Sequence, residues 1–183
     1  MRWILGTLFI TTLVFCLTRA LIKVTDSHAD LLWEWAPGRH SNDLSHLDDE
    51  LRVKVIRIMT RLKEEHFNVT IVTTWRSPRR QKMLHAYGRI RHWAGLGPAT
   101  ALRAKQSCHT QLDSSGSPKA LAVDLRLRDR ATTERHATFF HRLGALARKH
   151  NLRWGGDWQR SNPTWRKYNL GWDPGHLESL KCR

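Results

Sequence analysis

The chain is short of acids, of cysteine and of repetitive sequence. Only 16 Asp and Glu stand against 31 Lys and Arg, leaving a formal net charge of +15. Such an imbalance draws a protein to polyanions: nucleic acid, acidic lipid, or the anionic polymers of a bacterial envelope. The cations are scattered, and no long Lys/Arg tail collects them. There is no Cys-x-x-Cys pair, which argues against a cysteine-ligated zinc site. The three cysteines are Cys16, Cys108 and Cys182. Cys16 falls in an apolar run. Cys108 and Cys182 could pair in an oxidising compartment, but the expectation is two free thiols. Internal repeats and low-complexity segments are missing as well. What remains is enough for one domain with a terminal extension: 183 residues, 40% apolar, with nine Trp, a composition that excludes a disordered chain.

The N-terminus reads as a targeting segment. Met1-Arg2-Trp3 is followed by ILGTLFITTLVFCL, residues 4–17, without a charge. A basic start and an uncharged run of this kind fit a signal-peptide core or a signal anchor, although the run is shorter than the ~20 residues of a comfortable span. Residues 1–22 are therefore expected to form an apolar helix that is a signal peptide or membrane anchor. Export to the cell envelope or periplasm follows, with the inner membrane as partner if the segment stays uncleaved. Residues 23–44 read as a linker, turning at Pro37-Gly38, and residues 45–183 as the working domain.

Within that domain the periodicities alternate. Ser45 with Asp48 resembles a helix start, and Leu47, Leu51, Val55, Ile58 and Leu62 follow at helical spacing. Residues 69–74, VTIVTT, are β-branched and read as a strand. Ser77-Pro78 is a helix N-cap and first residue, with a helix expected over 78–87 and a long loop over 88–106. Arg76 sits at the strand-to-helix junction, where side chains commonly point into a cleft. In LAVDLRL, residues 121–127, the leucines and Val123 share one face, while Ala122 and Asp124 share the other. Thr132-Thr133-Glu134 opens another helix; Leu152-Arg153-Trp154 is a short strand; His176 and Glu178 would share a strand face with Leu177 opposite. The order predicts an α+β fold with a small antiparallel sheet flanked by helices.

His109 and Asp124 bracket a Gly/Ser/Pro segment, and His176 lies near the C-terminus. Zinc accepts His nitrogen and Asp oxygen, and a catalytic site keeps three protein ligands plus a water. Asp173, three residues before His176 across a Pro-Gly turn, could take a proton from that water. Arg76 could stabilise the oxyanion formed when water attacks an amide. With eleven His in the chain, residue types alone do not single out this trio.

Five short pieces occur in one order: TTWRSP (73–78) with Gln81, Ser107-Cys108-His109, Ala122-Val123-Asp124, WGGDW (154–158) and DPGHLE (173–178). That order resembles the zinc peptidases of the D-alanyl-D-alanine carboxypeptidase/L-alanyl-D-glutamate endopeptidase family, in particular its endolysin-like branch, which shares a fold with the hedgehog signalling domain. The resemblance implies that His109, Asp124 and His176 ligate Zn2+, that Asp173 is the catalytic base, and that Arg76 contacts substrate near the scissile carbonyl. It further implies that Ser107 and Trp158 border the substrate. Two departures stand out. Fifteen positions separate His109 from Asp124, more than in the family's shortest forms, so residues 112–119 read as an insertion carrying a rival ligand, Asp113. Gly175 also stands where a proline is common.

The function expected is hydrolysis of peptide bonds in peptidoglycan stem peptides by a monomeric zinc enzyme. Tyr87-Gly88-Arg89, placed after the helix, and the WGGDW turn lean toward an L-Ala–D-Glu endopeptidase. A D-Ala carboxypeptidase is the alternative, and a non-catalytic wall-binding protein on the same fold is another. Nucleic-acid binding ranks last, because the basic stretch 89–103 has only Trp93 to interleave with it.

Overall fold

The computed structural model describes residues 39–93, 102–128, 130–159 and 163–182. A short 3-10 turn at Leu44–His46 leads into helix α1, Asp49–Glu64. Asp48, not Ser45, is its N-cap: the Asp48 carboxylate accepts from the backbone N–H of Glu50 and Leu51, while Asp43 caps the preceding turn. The expected stripe is the buried one, with Leu51, Val55, Ile58 and Leu62 all against the core.

Strand β1, Val69–Thr73, follows, then helix α2, Pro78–Trp93. Ser77 Oγ accepts from the N–H of Arg80 at 3.2 Å, as an N-cap should. The helix runs past the expected stop near Tyr87. Gly88 in a helix interior costs only about 1 kcal/mol relative to Ala, and the surrounding Lys, Met, Leu, Ala and Arg favour helix, so one glycine does not end it. After 3-10 turns at Ala104–Gln106 and Cys108–Thr110 come strand β2, Ala122–Leu127, and helix α3, Thr133–Lys149. Strand β3, Leu152–Trp154, a 3-10 turn at Gly155–Asp157, the short helix α4, Pro163–Arg166, and strand β4, His176–Ser179, complete the chain.

The four strands form one antiparallel sheet in the order β1-β2-β4-β3, so the fold is α+β as expected. One face is dry. Val123, Leu125, Leu127, Leu152, Trp154 and Leu177 pack with the α1 stripe and with Phe139, Leu143 and Leu146 of α3. The other face carries Ala122 in a small cluster with Cys108 and Cys182, and beside it the polar residues Asp124, His176 and Glu178. Cys108 and Cys182 are joined in a disulfide with Cα atoms 5.8 Å apart, which corrects the expectation of free thiols. The two residues are 74 positions apart in sequence, so the pairing rests on how the sheet returns the C-terminus to the turn before β2.

The membrane-anchor expectation gains no support from the described residues. Among the described residues no helix is long and apolar enough to cross a membrane. The run that carries that expectation, residues 1–22, lies outside the described residues, as does the linker up to residue 38.

Candidate metal centre

The register of the sheet builds the site. Asp124 on β2 is the Cα partner of His176 on β4, and a register shift in β1 between Ile71 and Thr73 places Thr73 on Asp124's other side. Bulges of this kind recur next to functional sites because they re-aim side chains. Cross-strand neighbours have Cβ atoms within about 5.5 Å, so a carboxylate and an imidazole at these positions must meet. They do: His176 Nδ1 lies 2.8 Å from Asp124 Oδ1.

His109 arrives from outside the sheet. Its 3-10 turn is folded by Ser107, whose carbonyl accepts from the backbone N–H and the hydroxyl of Thr110. The turn is tied to β2 by the N–H of Leu121 on the Cys108 carbonyl, and to the end of β1 by the N–H of Arg76 on the His109 carbonyl. His109 Nδ1 lies 2.7 Å from the carbonyl of Thr74, an acceptor only. Nδ1 therefore carries the proton and donates it, leaving the Nε2 lone pair directed at Asp124, 3.4 Å from Oδ2.

The insertion does not disturb this. The chain from 112 to 119 folds on itself: Leu112 bridges to Pro118, the N–H of Lys119 bonds the Gln111 carbonyl, and Gly116 takes the turn at φ +82°. Asp113 is exposed, and its carboxylate accepts from the N–H groups of Ser115 and Ser117 within that turn. It is not among the clustered donors, so the rival ligand falls away.

The last loop is held from behind. The Gly155 carbonyl accepts from the N–H of Asp173, Trp154 Nε1 donates to the Pro174 carbonyl at 2.7 Å, and the N–H of Gly171 bonds the Gly156 carbonyl. A Cβ on Gly155 would collide with the Asp173 carbonyl, so the glycine turn is shaped to the loop bearing Asp173 and His176. Gly175 has a local reason as well: a Cβ there would sit 2.6 Å from the carbonyl of Leu125, where β2 passes close. Trp158 is half-buried, its ring 5.1 Å from that of His176.

Two residues matter more than the sequence indicates. Gln81 is fully buried and accepts from Arg76 Nη1 at 2.9 Å while donating to the Leu102 carbonyl. Glu178 is buried and lies 3.2 Å from His176 Nε2, with its other oxygen 2.9 Å from Arg153 Nε. The shared strand face of His176 and Glu178 is legible as alternation; their contact is not. Arg76 is expected at the substrate. It is 5% exposed, and its guanidinium donates to Asp124 Oδ2 at 3.2 Å as well as to Gln81.

Electrostatics follow from this crowding. Burial opposes charge on Asp124, yet His109 and His176 outweigh it and hold the carboxyl well below its ordinary range. Burial lowers His109. Burial also works against a charged His176, but hydrogen bonds to Asp124 and Glu178 carry it up to about 10. Burial and the Asp124 charge push Asp173 up to about 6, against the pull of His176 and Arg76.

The donor set fits a borderline-soft divalent ion. One donor atom from each of His109, Asp124 and His176 lies within 4.8 Å of the others. Donors at about 2.1 Å from a tetrahedral ion stand about 3.4 Å apart; His109 Nε2 meets this spacing to Asp124 Oδ2 at 3.4 Å, while His176 Nδ1 stands at hydrogen-bond distance, 2.8 Å, from Oδ1. A second compact group, Cys108, Glu178 and Cys182, meets the same spacing, but its two sulfurs are bonded to each other.

No family model matches the chain, and no curated protein does. Solved structures with a similar chain path include the LD-carboxypeptidase LdcB, described for its recognition of peptidoglycan. Its likeness is 14% identity over 73% of this chain and 59% of that one, with a TM-score of 0.44. Another is a mutant of VanY, a D,D-pentapeptidase from a VanB-type vancomycin-resistance cassette, in complex with Zn(II), at 12% identity over 73% and 72% and a TM-score of 0.44. This chain spans 59% of the length of the first. At such depth neither assigns an activity.

Proposed function

We propose that the chain is a zinc-dependent peptidase acting on peptidoglycan stem peptides. The observation that supports this most directly is the convergence of donor atoms of His109, Asp124 and His176 from three separate segments to within 4.8 Å of one another, a donor set that suits zinc. These three would hold the zinc. When bound, the ion would supply Lewis-acid polarisation of the scissile carbonyl and a lowered pKa for water.

The remaining steps belong to the chain. Asp173, a carboxyl raised to about 6 by burial and by Asp124, is suited to take the proton of the attacking water and return it to the leaving amine. Arg76 fixes the orientation of Asp124 and keeps positive charge beside the place where the oxyanion develops. Trp158 offers an aromatic wall next to His176. Ser107 shapes the His109 turn through its carbonyl. The disulfide fits an exported enzyme, since such bonds persist in oxidising compartments, and the +15 charge favours residence on an anionic envelope.

Which bond is cut is a narrower matter. As a segment after the helix, Tyr87-Gly88-Arg89 would favour an L-Ala–D-Glu endopeptidase, but these residues lie inside α2. Without that support, release of a terminal D-alanine stands at least level with the endopeptidase cut. The test is digestion of purified peptidoglycan with mass spectrometry of the products. Free D-alanine marks the carboxypeptidase, and a new D-Glu amino terminus marks the endopeptidase. EDTA and Asp173→Ala should each abolish product. Undiminished hydrolysis in both would sink the metallopeptidase reading, and zinc uptake without hydrolysis would favour a wall-binding protein.

A further inference from the structure

Glu178 is the one buried carboxylate at the site that the proposed chemistry leaves without a task. It follows His176 by two residues on β4, so both side chains stand on the same face of the sheet. Its carboxylate is divided between two partners: Oε2 lies 3.2 Å from His176 Nε2, and Oε1 lies 2.9 Å from Arg153 Nε. Arg153 is the Cα partner of Glu178 across the β3–β4 pair, so the sheet itself fixes that contact. The disulfide sulfur of Cys108 lies 3.1 Å from Oε2 and closes the remaining side. A carboxylate so buried is costly unless it is paired, and here the pairing runs to the ring that carries a candidate ligand.

We infer that Glu178 is the positioning residue of the metal centre: it accepts the Nε2–H of His176 and thereby commits that ring's Nδ1 to the ion. This rests on the metallopeptidase reading. The geometry explains the asymmetry between the two histidines. His109 gives its Nδ1–H to the Thr74 carbonyl and turns Nε2 inward; His176 gives its Nε2–H to Glu178 and turns Nδ1 inward. A neutral backbone carbonyl serves one ring and a carboxylate serves the other. A carboxylate partner raises the basicity of the imidazole it orients, so His176 is the stronger donor of the two. Arg153 stops the carboxylate from swinging away and acts one step further out.

The test uses the full chain stripped of metal and titrated with Zn2+ against a competing chelator. Glu178→Ala should weaken zinc binding by about 10–100-fold, the range seen when such outer partners are lost. Glu178→Gln, whose amide oxygen still accepts from Nε2–H, should fall between that variant and wild type, and it carries the test if the alanine variant does not fold. Arg153→Ala should have a smaller effect than Glu178→Ala. In the zinc-loaded wild type, nitrogen-resolved NMR should show a slowly exchanging His176 Nε2–H that Glu178→Ala loses and Glu178→Gln keeps. A merely structural Arg153–Glu178 ion pair would lower stability in both variants while leaving zinc affinity and that proton unchanged, and this result would overturn the inference. A wild type that takes up no zinc would remove the peptidase reading and the inference together. Equal uptake by wild type and all variants removes the inference alone.

Discussion

The two faces of the sheet are built from alternate residues of the same strands and obey different rules. On β2, Val123, Leu125 and Leu127 enter the helix-covered core, while Ala122 and Asp124 face the other way. On β4, Leu177 is in the core and His176 and Glu178 are on the site. The core face is held by area removed from water and has little sense of direction. The site face is held by directed contacts among Arg76, Asp124, His109, His176, Glu178 and Arg153, each of which depends on a partner being present. A change on the first face should therefore cost stability and spare the chemistry. A change on the second should cost both.

Asp124→Ala is the strongest way to break the comparison. It removes a proposed ligand and takes from the buried Arg76 guanidinium the carboxylate it bonds. Loss of zinc binding is expected together with about 3–5 kcal/mol of stability, the usual cost of stranding one half of a buried pair. Denaturant unfolding and zinc titration measure the two parts. Retained stability would mean that Arg76 is satisfied without Asp124.

Leu143→Ala is the matched change on the dry face. Leu143 is fully buried in α3, and its truncation should cost about 2–5 kcal/mol through lost contacts and a cavity. The folded fraction should bind zinc as tightly as wild type. Weaker affinity per folded molecule would show that the two faces are not separable.

Reduction of Cys108–Cys182 sharpens the boundary between them. By loop-closure entropy the bridge is worth up to about 4.5 kcal/mol for a separation of this size. It ties the His109 turn to the segment after β4, so a thiol reductant should lower the melting temperature and, to a smaller degree, weaken zinc binding. Calorimetry with and without reductant reads the first, and chelator competition the second.

Asp113→Ala should do least. Its carboxylate serves only its own exposed turn, so the change should cost no more than about 1 kcal/mol and leave zinc affinity as it was. A clear fall in affinity would bring the insertion back into the site.

Much of the scaffold is legible in the sequence. The α1 stripe, the Ser77-Pro78 helix start, the alternation in 122–127 and the Leu177/His176/Glu178 division all hold, whereas Leu121, expected on the core face, packs with Ala122 and the disulfide. Each is written within one turn or one strand, where side-chain direction follows from backbone period alone. Errors arise at helix ends, where weak local preferences compete, and where a distant segment decides. Gly88 does not end α2, the cysteines pair, and Asp48 displaces Ser45 as the cap.

For the candidate site, the chain by itself specified the residue types and their order: His109 before an amphipathic strand, Asp124 on its polar face, Asp173 and His176 across a Pro-Gly turn. Only the tertiary structure decided that Asp124 stands opposite His176, that the insertion closes on itself and withdraws Asp113, and that Thr74 and Glu178 turn the two rings inward. The reason is range. Periodicity is a property of a few consecutive residues, whereas strand register and ring orientation are set by partners up to 58 positions apart, such as Val69 and Leu127, which meet only once the sheet has formed.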